Sequence, residues 1–279
     1  MSEPLYEIVP NLSEGRDASA VDAFVAAIEG EGVRVIDRTS DATHHRSVIT
    51  AVGGGEDVVR AGVALAGEAL ARIDLRAHRG VHPRIGALDV LPFVPLRGAT
   101  MAACVRLAHA AGERIWEQHR IPSYYYGAAR LAPERAPLAA IRKHAGSWAP
   151  DVGDALHEGA GAIAIGAREI LIAFNVELAT ADLTVALAIA KLLRERAGGL
   201  RTLRTLGLRL TADRVQVSVN VTDYRATPLY RVTELVRKLA ADRGVAIVRS
   251  ELIGLAPREA IEVTARYYAG LRPGVAYPT

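Results

Sequence analysis

Residues 78–93 bring together the residue types best suited to chemistry. They read HRGVHPRIGALDVLPF and include two histidines, two arginines and one aspartate. All of these except Asp89 lie on a segment interrupted by glycine and proline, which is typical of a functional loop. The apolar run at residues 87–94 predicts a buried strand that holds this loop in place. An ordinary surface loop with incidental charge is the alternative that this stretch leaves open.

His82 is the best candidate for proton transfer. It precedes Pro83, and a following proline favours an extended backbone, which directs the imidazole away from any helix. An unperturbed histidine has a pKa of about 6.5 and therefore suits general acid or base catalysis near neutral pH. A solvent-exposed loop histidine fits the local sequence equally well. His78 lies at the predicted end of the preceding helix, where an imidazole more often contacts terminal carbonyl groups.

A second polar segment follows Asp37, which is predicted to end a strand. It contains Asp41, His44, His45 and Arg46. A loop rich in histidine and aspartate suggests a metal, but the adjacent histidines lack the H-x-H or i, i+4 spacing of metal ligands. We therefore expect no metal. Only the fold decides whether this loop lies near the first one.

A third polar pattern flanks an apolar strand predicted at residues 169–178. Arg168 precedes the strand and Asn175 lies near its end. A buried amide needs hydrogen-bond partners, so Asn175 is predicted either to bind a ligand or to bond the backbone. The triplet at residues 53–55 lacks the spacing of known phosphate-binding loops, which argues against a nucleotide site.

Composition narrows the class of ligand. The 34 basic and 31 acidic residues give a net charge of +3, and lysine occurs only at positions 143, 191 and 238. Arginine favours bidentate binding of carboxylate or phosphate, while the small excess of basic over acidic residues argues against a nucleic-acid partner.

A single cysteine, Cys104, leaves no disulfide framework or zinc site. We found no leader peptide and no apolar run of about 20 residues, so we expect a cytoplasmic protein.

Hydrophobic periodicity predicts the order β-α-β-β-α-β in the first part of the chain and again from residue 169. Residues 127–160 are interrupted by proline and glycine and are predicted to be an irregular connection. This order is typical of the ferredoxin-like split βαβ arrangement. We therefore predict an α+β fold of two ferredoxin-like subdomains, at residues 1–178 and 179–279, with a cleft or tunnel between them.

Four phrases along the chain resemble, in order, those of the glutamate formimidoyltransferase family, which includes the formiminotransferase domains of formimidoyltransferase-cyclodeaminase. They are VPNLSEGR at residues 9–16, the stretch 78–93, GAREILIAFN at 166–175 and ELIGLAP at 251–257. The resemblance spans nearly the whole chain. It implies two ferredoxin-like subdomains, a folate-binding tunnel between them and a homodimer.

The same resemblance implies a transferase of histidine catabolism and one-carbon metabolism. Its substrates are N-formimino-L-glutamate and tetrahydrofolate, the latter as co-substrate, and no metal is involved. The family's catalytic histidine falls on His82. Its folate-contacting strand phrase falls on Gly166, Ala167, Arg168 and Asn175.

We predict further roles around His82. Asp37 or Asp41 orients the imidazole or stabilises a cationic amidinium, and arginines hold the carboxylates of glutamate and folate. The predicted arginines are Arg46, Arg84 and Arg168. Asp89 completes the predicted binding set.

The chain departs from the family phrase in the loop that precedes Arg46. Residues Thr43, His44 and His45 stand where the family usually has an asparagine before the arginine. This difference leaves two alternatives open: an enzyme for another one-carbon derivative such as 5-formyltetrahydrofolate, or a non-catalytic folate-binding protein. The chain ends at Thr279, so we expect a separate protein to act as cyclodeaminase.

Overall fold

The computed structural model describes residues 3–42, 44–79, 83–194 and 197–271. The chain divides into two compact units between Glu169 and Ile170. Each unit has its own sheet and its own hydrophobic core. An α+β fold with two subdomains is thereby confirmed.

Within the described ranges, the first unit contains seven strands. They are β1 Tyr6–Ile8, β2 Asn11–Leu12, β3 Arg34–Asp41, β4 Arg46–Gly53, β5 Leu88–Pro95, β6 Ser123–Gly127 and β7 Ile163–Ala167. The sheet order is β3, β4, then β1 and β2 end to end, then β5, β7 and β6. The first five strands pair antiparallel, whereas β7 is parallel to both β5 and β6.

The helices of the first unit follow from local signals. They are α1 Ala18–Glu29, α2 Gly55–Arg72, α3 Met101–His119 and α4 Leu138–His144. The side chain of Asp17 caps α1 and that of Thr100 caps α3, and both are residue types favoured at this position. The first three helices pack side by side and bury a core against the sheet. A separate cluster includes Ile141 of α4 and Val90 of β5.

The second unit is the simpler of the two. Its elements are β8 Ile172–Leu178, α5 Leu183–Leu193, β9 Leu203–Arg209, β10 Val215–Val221, α6 Leu229–Ala241, β11 Ile247–Ile253 and α7 Arg258–Tyr268. The sheet order β11, β8, β10, β9 is antiparallel throughout and is the order of a ferredoxin-like βαββαβ unit. Alternate residues of β8 and β10 are buried, because one face of each strand packs on the core.

Two predicted boundaries differ from the structure. The boundary between residues 178 and 179 assigns β8 to the first subdomain, whereas β8 pairs with β10 and β11 in the second unit. Asp37 does not end a strand, because β3 continues to Asp41 as the exposed edge of a hairpin with β4. An edge strand tolerates polar residues, so the polar composition of this segment did not indicate a strand.

The connection at residues 127–160 also contains more structure than predicted. It includes α4, and it is followed by β7, a strand that the sequence analysis missed. The helix α2 ends at Arg72, so His78 lies beyond its last turn. Among the helices in the described ranges, none is both long and apolar enough to cross a membrane.

Candidate active site

Asp89 is the centre of a buried polar cluster in the first unit. It lies on β5 with 0% of its surface exposed. Its Oδ1 accepts a hydrogen bond from the Ile85 backbone N–H at 2.7 Å, and its Oδ2 accepts from Arg46 at 2.8 Å and Arg142 at 2.7 Å. Burial by itself would raise the pKa of Asp89, but Arg46, Arg142 and the Ile85 N–H together lower it below its usual value. The carboxylate is therefore ionised at neutral pH.

Arg46 opens β4 and links Asp89 to the start of the chain. Its Nε and Nη2 donate to the side-chain oxygen of Asn11 at 3.2 and 2.6 Å. The Asn11 amide in turn donates to the Val9 carbonyl at 2.8 Å. Burial lowers the pKa of the Arg46 guanidinium, and Asp89 opposes that effect. All three of its nitrogens thus have partners within the protein.

Arg84 holds the segment after Pro83 against the turn that precedes β4. Its two terminal nitrogens donate to the backbone carbonyls of His45 at 3.0 Å and His44 at 2.9 Å. Its Nη1 also lies 2.7 Å from Nε2 of His78. The forked guanidinium matches this arrangement of acceptors, which a lysine would not.

His45 and His78 stack on each other beside Arg84. Their ring centroids are 4.1 Å apart and their planes differ by 28°. The Nδ1 of His45 lies 3.2 Å from the Gly15 nitrogen and 3.3 Å from a Glu14 carboxylate oxygen. That oxygen also accepts backbone hydrogen bonds from Gly15, Arg16 and Asp17. The glutamate therefore joins the turn at residues 14–17 to the stacked imidazoles.

We expect both stacked imidazoles to titrate below their ordinary value of 6.5. Burial lowers the pKa of His45, aided by Arg16 and Arg84 and opposed by Glu14. Burial, Arg84 and the neighbouring ring lower the pKa of His78. The unfolded chain then binds protons first as the pH falls below 6.5, so the pair contributes stability above this pH that is lost as the pH falls through the folded pKa values.

Nuclear magnetic resonance titration of the ring nitrogens measures both pKa values, and His45→Gln and His78→Gln variants assign the signals. A folded-state titration at or above 6.5 for either ring would contradict the expectation. Replacement of His45 should also move the pKa of His78 toward its ordinary value, because one of the neighbouring positive charges is removed.

The structure brings together three of the predicted binding residues, Arg46, Arg84 and Asp89. The predicted aspartates before them are placed differently. Asp41 is the last residue of β3 and half exposed, and it accepts a hydrogen bond from the His44 N–H at 2.8 Å and contacts the His44 ring. Asp37 is partly buried in the middle of β3. A role for either aspartate in orienting His82 stays a prediction.

The predicted folate-contacting phrase is divided between the two units. Gly166 and Ala167 lie buried in β7, and a side chain at Gly166 would come within 2.4 Å of the Tyr126 ring. Arg168 donates to the backbone of the next residue and contacts the Tyr126 hydroxyl. Asn175 lies on β8 of the second unit, opposite Ser218 of β10. Close packing therefore explains the small residue at 166.

His82 and Thr43 lie outside the described residues, so the proposed catalytic role of His82 stays a prediction. The structure instead identifies residues that sequence analysis did not select: Asn11, Glu14 and Arg142. The first two lie in the phrase at residues 9–16, whose polar turn was a signal for them. No periodic pattern marked Arg142, because α4 is only seven residues long.

In the described ranges, no group of three or more His, Cys, Asp and Glu side chains is arranged to hold a metal ion.

Comparison with known proteins covers both units. Residues 5–168 match the formiminotransferase domain, N-terminal subdomain, and residues 173–273 match the formiminotransferase domain. Glutamate formimidoyltransferase of Thermoplasma acidophilum is 44% identical over 96% of this chain and 93% of that protein. The enzyme of the same name from Streptococcus pyogenes is 39% identical over 95% of this chain and 93% of its own length. Formimidoyltransferase-cyclodeaminase of Rattus norvegicus is 38% identical over 95% of this chain but only 52% of that protein.

Proposed function

The chain belongs to the formiminotransferase family, and on that premise we propose that it is a glutamate formimidoyltransferase. It moves a formimino group between N-formimino-L-glutamate and tetrahydrofolate. The observation that carries the proposal is the 44% identity to a glutamate formimidoyltransferase over 96% of the chain. At this identity and coverage both subdomains are shared, so the similarity is not limited to one module.

The reaction requires one proton to change its position. The N5 amine of tetrahydrofolate attacks the amidine carbon, and a tetrahedral intermediate forms. The bond from this carbon to the glutamate nitrogen then breaks, and that nitrogen must be protonated before it leaves. The proton lost by N5 balances the one gained by glutamate, so a single group that accepts and returns a proton is sufficient. We assign this role to His82.

The described residues support the proposal through their charge. Both substrates carry carboxylates, and the cluster around Asp89 contains more guanidiniums than carboxylates. Arg84 lies two residues after His82 in the sequence and is held by the carbonyls of His44 and His45. We propose that this anchor restricts the backbone next to the catalytic histidine.

Further expectations from the family remain part of this proposal. They are a folate-binding tunnel, a homodimer, a cytoplasmic location and catalysis without a metal. The rat relative is named for both formimidoyl transfer and cyclodeaminase activity, and this chain covers about half of its length.

Steady-state turnover of the purified protein tests the function. We expect tetrahydrofolate and N-formimino-L-glutamate to yield the formimino adduct, followed by absorbance, above a control without enzyme. If no product forms while calorimetry shows tetrahydrofolate binding, 5-formyltetrahydrofolate and related one-carbon derivatives become the next substrates to assay. If folate does not bind, the proposed function is wrong.

A further inference from the structure

Arg142 differs from the other arginines of the buried cluster in how its donors are used. Arg46 has a partner for each of its nitrogens, and both terminal nitrogens of Arg84 donate to backbone carbonyls. Within the described ranges, Arg142 makes one hydrogen bond, from Nη2 to the Asp89 carboxylate. Its buried Nε has no hydrogen-bond partner among the described residues. A buried donor without an acceptor lowers the stability of the fold, and native proteins contain few of them.

The charges around Arg142 favour binding of a negatively charged group. Arg46 and Arg142 share a single oxygen of Asp89, so one carboxylate faces two guanidiniums. Arg84 adds a third positive charge, since Arg142 lowers the pKa of both Arg84 and Arg46. Glu14 does not offset these charges, because its carboxylate faces His45 at 3.3 Å and acts on the two imidazoles rather than on Arg46 or Arg84. The cluster therefore holds an excess of positive charge.

Exposure distinguishes which arginine can meet a ligand. The Arg142 side chain is 19% exposed, whereas that of Arg46 is 10% exposed and that of Asp89 is fully buried. Arg142 extends from the short helix α4 rather than from the sheet, and its side chain keeps this partial exposure while paired with Asp89. An approaching anion can thus contact Arg142 without displacing the pair of Arg46 and Asp89.

We propose that Arg142 binds a carboxylate of a substrate, and so determines specificity for a glutamate moiety. The assignment rests on the proposed transferase function. A carboxylate supplies acceptors for the donors that Asp89 leaves unused and offsets the excess charge. The donors of Arg46 are occupied within the protein, so the sequence-based assignment of a substrate carboxylate to Arg46 stays a prediction. The glutamate moiety occurs both in the formimino donor and in the tail of folate, so the experiment must separate the two.

The experiment compares wild-type protein and Arg142→Met with natural and truncated substrates. The natural pair comes first, because absence of wild-type turnover would defeat the proposed function rather than this inference. With turnover established, we expect Arg142→Met to raise the KM of one substrate by about 10- to 100-fold, the loss expected for a hydrogen-bonded ion pair, with a smaller change in kcat.

Truncated substrates identify the carboxylate. The α-amide and the γ-amide of formiminoglutamate each lack one carboxylate of the donor, and tetrahydropteroate lacks the glutamate tail of folate. We expect one of these three to have a raised KM with the wild-type protein and the same KM as its parent with Arg142→Met. If the variant leaves every KM within about twofold, or raises the KM of parent and truncated substrates by equal factors, the proposal is overturned.

Two further variants separate binding from folding. Arg142→Lys keeps the charge beside Asp89 but loses the fork, so it should fold and still raise the KM of the same substrate. Arg135→Met is the matched control: Arg135 also has a buried Nε without a partner, but it lies 2.6 Å from Asp151, a carboxylate that no second arginine contacts in the described part of the chain. It should lose stability while every KM stays unchanged. A selective KM effect of Arg135→Met comparable to that of Arg142→Met would overturn the assignment.

Discussion

Replacement of Asp89 by asparagine is expected to lower the free energy of unfolding at pH 7 by about 3 to 5 kcal/mol, the range for loss of one partner from a buried ion pair. The side chain is fully buried, and the change leaves Arg46 and Arg142 without their shared counter-ion. An amide has nearly the same shape as the carboxylate, so the loss reports charge rather than packing. Urea denaturation followed by circular dichroism measures it.

The pH dependence of this difference provides a second test. The pKa of Asp89 in the folded protein lies below its ordinary value of 3.8. The stabilisation is therefore complete above about pH 5 and is lost as the pH falls past the ordinary value and through the folded pKa, below which both states are protonated. The difference between wild type and Asp89→Asn should shrink over this acidic range and stay constant between pH 5 and 8.

An exposed aspartate serves as the matched control. Asp22 pairs with Arg38, and both side chains are more than half exposed. Asp22→Asn should cost less than about 1 kcal/mol, because water screens exposed pairs. Equal losses for the two substitutions would show that burial and the two arginine partners give the Asp89 charge no special weight in stability.

Replacement of His82 by alanine is expected to lower kcat by about 10²- to 10⁴-fold, the usual contribution of a general acid or base. The proton that must reach the leaving nitrogen then has to come from water. Tetrahydrofolate binding, measured by calorimetry, should be retained, because the imidazole is proposed to act on the reacting atoms rather than to hold the pterin. The thermal unfolding midpoint should stay within a few degrees of the wild-type value.

The pH profile makes the assignment to His82 specific. If this imidazole transfers the proton, a plot of kcat against pH should show a limb set by its ionisation in the wild type. The same plot for His82→Ala should lack that limb. His119→Ala is the control, since His119 lies on α3 and contacts the Val63 carbonyl between helices. It should keep both kcat and the profile. Unchanged turnover in His82→Ala would show that another group moves the proton.

Much of the architecture was predictable from local pattern. The caps Asp17 and Thr100, the apolar faces of the long helices and the alternation in β10 are set by residues close in sequence. They led to the predicted order β-α-β-β-α-β in both units. The polar edge strand β3 was shortened in the prediction, and β7 was missed, because the pairing of each depends on distant strands.

The candidate site also combines features that the sequence determined with features that only the tertiary structure decided. The sequence by itself determined which segments carry reactive groups, and its four phrases determined the family. Only the tertiary structure decided that Asp89 meets Arg46, 43 residues earlier, and Arg142, 53 residues later. It also decided that Asp41 ends β3 and bonds to nearby His44, and that Asn175 belongs to the second sheet. The physical reason is that local propensity acts within a few residues, whereas ion pairs and strand register form only when the core has packed.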